Sequence, residues 1–365
     1  MKIFAMRIRL PIPAPIMSAL CLAALLLSQN AHGETAELSK NKVLGELVNQ
    51  VMLPMVGEFA DSSSEFSAKS RAYCQGQAQL ADMQAAWRKV QSHWQPLEMM
   101  PIGPVSENRL HRHINAWPLR VNLLEPMLKD SAGANVERVR RMGAAGKGLP
   151  AIEYLLFEAS DRLSGNCNAL NALTAQINEE AQGLNRAWRE PKGGFGRQLA
   201  RAGQPGYREI FSDADQAISD IVNLLIAGLD SVKTVKLSKA LERSTDTPAL
   251  ERIESWRSGT SLDHIAANLH GFEAVFFGKG KTKIGLDDYL VSLDRPGLAR
   301  VIRSQLDTAK EALANVRPPL QTALTEQRDA VVVLHKEISR LQYLMETEVA
   351  MALKVDLGFN ANDGD

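Results

Sequence analysis

Apolar residues recur three and four positions apart along almost the whole chain, and no stretch of useful length alternates apolar with polar. Spacing of that kind buries one stripe of a helix, whereas alternation would bury one face of a strand. The first run is Leu44, Leu47, Val48, Val51 and Met52, with Pro54 expected to kink or interrupt it. Ser62–Ser64 reads as a break or a helix start. A second long run is expected over 66–95, through Tyr73, Leu80, Met83, Trp87, Val90 and Trp94, and Pro96 is expected to end it. The two tryptophans, seven apart on one face, read as core. Later runs follow Cys167 to Trp188, Ile210 to Leu237, and residues 297–354, the last broken at Pro318-Pro319. Between 191 and 206 stand five glycines and two prolines, which reads as an exposed connection. These observations predict an all-α protein of two helical bundles packed side by side, over 34–190 and 210–365, joined by a linker at 191–209.

The first 33 residues have the order of a secretory signal: basic Lys2, Arg7 and Arg9, an apolar run from Ile16 to Leu27, then Ala31-His32-Gly33. Cleavage near Gly33 and delivery to the periplasm are expected. No later segment reaches about 18 consecutive apolar residues, so no further membrane span is expected. Removing residues 1–33 takes three basic and no acidic residues from a chain with 42 of each sign, leaving a formal charge of −3. That charge gives no basic excess for nucleic acid or anionic lipid. Of three cysteines, Cys21 lies in the leader, and a leucine directly before it is poor for lipid attachment. Cys74 and Cys167 remain. In an exported protein such a pair reads as a disulfide rather than a catalytic thiol, although spacing alone does not establish the bond.

The stretch Gly148 to Glu158 reads as the mouth of a buried helix. Pro150 fits a first turn, and Ile152, Leu155 and Leu156 share an apolar face. Glu153 stands beside that face near the positive end of the helix dipole, as either a cap or a functional group.

Gly148 and Glu153 resemble the first and last positions of Gly-x-His-x-x-Glu, the motif of the imelysin family, the M75 peptidase-like, iron-associated periplasmic proteins. Pro150 stands where the motif has histidine. The likeness extends through Trp87 to Gly103-Pro104 and His111, His113 and Trp117-Pro118. It continues in a Glu-x-x-Arg-Ser series starting at Glu254, running through Ser261-Leu262, Ile265, Asn268-Leu269 and Gly271, and in the Gly358-Phe359 to Asp365 ending. It implies an imelysin-like fold, an iron-uptake-associated binding role, and a metal complex or another iron-uptake component as partner. The metal candidates it leaves are Glu153 and Glu98, with iron or another divalent ion as the cofactor. It assigns no catalytic residue here, because zinc peptidases use about three protein ligands and a bound water, and the motif imidazole is missing. A metallopeptidase and an interaction protein with a degenerate site are the alternatives. His111 and His113, two apart, suit surface or capping roles, and His270 with Glu273 offers a local pair three apart on a helix.

Overall fold

The first helix begins at Ser39, whose hydroxyl accepts the Lys42 N–H, a donor the helix itself leaves open. The computed structural model describes residues 38–242 and 249–358, so the expected leader and the last seven residues lie outside the described residues. Residues 40–74 form one rod: α1 (Lys40–Glu46), a π-helical turn (Leu47–Met52) and α2 (Leu53–Cys74). The break expected at Pro54 is absent. A proline lacks an N–H and crowds the carbonyl four residues back, and the wider turn just before it relieves that conflict. Ser62–Ser64 likewise falls inside α2. Ser62 and Ser63 are buried, and the Ser62 hydroxyl donates to the Phe59 carbonyl at 3.1 Å.

The run expected over 66–95 is two helices, not one. The chain turns at 75–79, and the Asp82 carboxylate accepts the Gln79 N–H at 2.8 Å to start α3 (Leu80–Met99). Met83, Trp87, Val90 and Trp94 are buried along α3, with the Trp94 ring 5.3 Å from that of Phe59 on α2. Pro96 does not end this helix, which continues to Met99.

Among the short helices that follow α3 are α4 (Leu110–Ile114) and α5 (Gly148–Glu153), the latter widening into a π-helical turn at Tyr154–Glu158. Helix α6 (Cys167–Arg189) packs along α2, and Cys167 pairs with Cys74 across a Cα–Cα distance of 5.6 Å. The stretch read as an exposed connection contains α7 (Phe195–Ala200). Phe195 and Leu199 of α7 are buried, and the Phe195 ring packs edge-on to Trp188 at 4.9 Å.

The remaining long helices are α8 (Ala214–Ser231), continued by a π-helical turn at Val232–Ser238, then α9 (Ser261–Phe277), α10 (Pro296–Ala314) and α11 (Arg328–Leu344). Helix α3 packs against α2, α8 and α9, while α10 packs against α9 and α11. Close approach of α9 to α3 depends on Gly271, where a Cβ would stand 2.9 Å from the Pro96 Cα. This contact packs the last turn of α3 in spite of its proline. No described residue is in a strand, and all belong to one compact unit. The fold is all-α, with α3 packed among α2, α8 and α9.

Candidate functional site

Two cavities meet at Asn115, Trp117, Pro118 and Glu251, which line both. The smaller, about 270 Å³, is walled by Trp117, Pro118, Leu119, Pro150 and Trp256 and carries Glu153, Glu251, Glu254 and Arg257. The larger, about 740 Å³, takes in Glu98, His111 and Lys236, with Arg112, Arg120 and Lys239 along its sides.

Glu153 reaches the smaller cavity because α5 is wedged between α3 and α4. Gly148 has φ +77°, and a Cβ there would stand 2.5 Å from the Ile114 carbonyl, so the chain enters α5 flush against the end of α4. The Trp87 indole donates to the Leu149 carbonyl at 3.0 Å. Leu149, Ala151 and Ile152 are buried, leaving Glu153 at the cavity wall. Glu153 Oε1 accepts the Ser258 N–H at 2.9 Å and the Ser258 hydroxyl at 2.8 Å. Burial pushes this carboxyl above its ordinary range, and the two Ser258 bonds offset the shift only in part.

From Ser258 a chain of polar contacts leads away from Glu153. Ser258 Oγ lies 2.8 Å from Thr260 Oγ1, which lies 3.2 Å from His264 Nε2, and His264 Nδ1 is 3.6 Å from Glu254 Oε2. Glu254 is a buried hub. Its Oε1 accepts from Asn115 Nδ2 at 2.7 Å and Gln95 Nε2 at 3.3 Å, and its Oε2 is 2.9 Å from Lys236 Nζ. Lys236 Nζ also donates to Gln95 Oε1 at 2.6 Å and to Glu98 Oε2 at 3.2 Å. Burial works against both charges, yet the Lys236–Glu254 attraction outweighs it. Glu254 is held well below the usual carboxylate range, and Lys236, beside Glu254 and Glu98, above the usual lysine value.

The structure therefore places the two metal candidates apart: Glu153 lines the smaller cavity and Glu98 the larger. Asn115 lies between them, and its amide also donates to Glu98 Oε1 at 3.3 Å. Pro150 stands in the wall beside Glu153 and offers no donor atom. Among the described residues, no three His, Cys, Asp or Glu side chains are grouped to hold a metal ion. The groups nearest to doing so are engaged with the Lys236 ammonium and two side-chain amides, so this donor set does not fit a metal held by protein ligands alone. His111 lines the larger cavity, where burial lowers its pKa, while His113 Nδ1 is 2.9 Å from Glu180. His270 is exposed, and its partner Glu273 is bound by Arg303 at 2.7 Å and Lys310 at 2.8 Å.

Sequence reasoning did not single out Lys236, His264, Asn115 or Gln95, and it quoted Glu254 only as part of a pattern. One signal was available for Lys236. It falls seven after Leu229 and four after Val232, at the spacing of an apolar stripe, and a lysine kept there needs an acidic partner.

Residues 52–345 match the model of the peptidase M75 family, Imelysin. Iron-regulated protein A of Synechococcus elongatus is 26% identical over 319 residues, covering 84% of each chain. The crystal structure of an imelysin-like protein from Psychrobacter arcticum superposes with a TM-score of 0.73 at 16% identity, covering 88% of this chain and 97% of that one. At that identity the superposition speaks for the fold alone. The family match, however, spans most of the residues that build both cavities, and with it the chain belongs to the Imelysin family.

Proposed function

We propose that this protein is an exported, periplasmic, iron-associated binding protein and not a peptidase. The observation that carries this reading is the replacement of the motif histidine by Pro150 in the cavity wall beside Glu153, with Glu254 and Glu98 already engaged by Lys236. A hydrolytic zinc would need an imidazole-rich set and an open position for water, and Pro150 supplies no ligand. The iron association comes from the likeness to iron-regulated protein A. Because the donor set does not suit a bare ion, the reading has Glu153 and Glu98 contact a metal complex that brings ligands of its own, or a partner that carries it. The signal-like N-terminus supports export, and the intact mass of the exported chain should correspond to a start at Glu34. A mass retaining residues 1–33 would overturn that part.

Calorimetric titration tests the rest. The wild-type chain is expected to bind ferric citrate, to bind zinc weakly if at all, and to leave peptide substrates uncut. Pro150→His adds an imidazole one turn from Glu153 and should raise zinc affinity at least about tenfold. Micromolar zinc binding by the wild type that is lost in Glu153→Gln, together with peptide cleavage, would reverse the ranking in favour of a metallopeptidase. No heat with ferric citrate would count against the iron association.

A further inference from the structure

Glu153 and Arg257 present opposite charges to the smaller cavity, and each keeps unspent valence. Glu153 is 2% exposed, and both Ser258 bonds fall on Oε1. Its Oε2 makes no hydrogen bond or ion pair with any described residue. The Arg257 guanidinium is bound through Nε alone, to Glu158. Its terminal nitrogens have no partner among the described residues. The group is nonetheless held in place, lying 4.5 Å from the Trp256 ring centroid and 5.7 Å from that of Tyr154. Glu153 and Arg257 form no ion pair with each other, although the arginine charge is felt at the carboxyl. The walls between them are apolar and aromatic: Trp117, Pro118, Leu119, Pro150 and Trp256.

A bare cation in this cavity would meet Arg257, and a bare anion would meet Glu153. A small molecule that carries an ammonium and a carboxylate on adjoining atoms satisfies both, and the apolar walls take its hydrocarbon part. We propose that the smaller cavity binds a small zwitterion with the chemistry of a free α-amino acid, its ammonium on Glu153 and its carboxylate on the terminal nitrogens of Arg257. Two charge-assisted contacts of this kind are stronger than neutral hydrogen bonds, and the guanidinium suits bidentate capture of a carboxylate. Desolvation of Glu153 adds selectivity, because an incoming ammonium supplies the counter-charge that the buried carboxyl lacks. The proposal rests on the reading of this protein as a binding protein, and it gives the smaller cavity with Glu153 to the zwitterion and leaves a metal complex to the larger cavity with Glu98.

The test is calorimetric titration of the full chain with leucine, isoamylamine, isocaproate and ferric citrate. Leucine is expected to bind, with the amine and the acid each at least about tenfold weaker, since each forfeits one charged contact. Glu153→Gln and Arg257→Met should each weaken leucine binding at least about tenfold while the far-ultraviolet spectrum is retained. Should Arg257→Met fail to fold, Arg257→Lys keeps the charge and the stem, loses the fork, and is expected to weaken leucine binding as well. Absence of leucine binding at millimolar concentration overturns the proposal. So does equal affinity for isoamylamine or for isocaproate, or leucine binding indifferent to Glu153→Gln. Ferric citrate binding without leucine binding removes this inference and leaves the iron-binding reading intact. Leucine binding without ferric citrate binding does the reverse.

Discussion

Replacing Lys236 by methionine is expected to destabilise the fold by about 3–5 kcal/mol at pH 7, because it strands a buried carboxylate. Methionine nearly matches the length and volume of the lysine stem, so packing changes little. What disappears is the ammonium that sits 2.9 Å from Glu254 Oε2 and 3.2 Å from Glu98 Oε2. Glu254 is 3% exposed and is left with Asn115, Gln95 and a distant His264. The pH dependence separates this cause from a packing defect. In the wild type the Glu254 pKa is depressed, so its stabilising contribution is complete above the ordinary glutamate value of 4.5 and is lost as pH falls below it. Lys236 has a raised pKa, so its contribution is complete below the ordinary lysine value of 10.5 and is lost only at more alkaline pH. In the variant, burial acts on Glu254 without the opposing cation and favours its neutral form. Lowering the pH therefore weakens the wild type while relieving the variant, and the gap between them should narrow from pH 7 to pH 4. Urea denaturation at both pH values reads this directly. Lys236→Met with Glu254→Gln should recover much of the loss, since the pair is then neutral together. A loss under about 1 kcal/mol at pH 7 would mean that the cluster behaves as an exposed ion pair, contrary to its burial.

The all-α class was legible because helical spacing is a local property that nearly every segment here carries. Local signals failed where tertiary packing overruled them. Pro54 and Pro96 both look like helix ends, yet a π-helical turn accommodates the first and contact with Gly271 packs the second. Ser62–Ser64 looks like a break, yet Ser62 and Ser63 are small enough for a tightly packed face, and the Ser62 hydroxyl bonds back to its own helix. In the glycine-rich stretch, Phe195 and Leu199 stand four apart, a short apolar stripe that the surrounding glycines and prolines obscured.

The site divides the same way. Glu153 was visible because its helix, its proline and its motif lie within a few residues of one another. Lys236, Glu254 and His264 come from an α8 extension, an irregular segment and α9, and they meet Gln95 and Asn115 from elsewhere in the chain. No local pattern encodes that meeting. Only the demand that a buried charge find a partner connects these residues, and a single sequence does not say which acid answers which base.

Loss of the Cys74–Cys167 bridge is the other large effect to expect. The two residues are 93 apart in sequence, and their Cα atoms are 5.6 Å apart where the end of α2 meets the start of α6. Closing a loop of that length in the unfolded chain corresponds to about 4–5 kcal/mol in the chain-entropy account, and removal of native bridges from small secreted domains costs about 2–5 kcal/mol. Helices α2 and α6 pack along one another independently of the bridge, so the native helices should persist without it. The double variant Cys74→Ser with Cys167→Ser is therefore expected to fold but to unfold at lower urea, with most of the loss arising in the unfolded ensemble. Dithiothreitol should reproduce that shift in the wild type and leave the double variant unmoved. Neither cysteine lines either cavity, so ligand affinity measured well below the new unfolding midpoint should be unchanged. Alkylation of unfolded wild-type protein without reductant is the deciding control. Labelling of both cysteines would show them to be free thiols, and an unshifted urea midpoint in the double variant would show that the bond, even if formed, does not hold the fold.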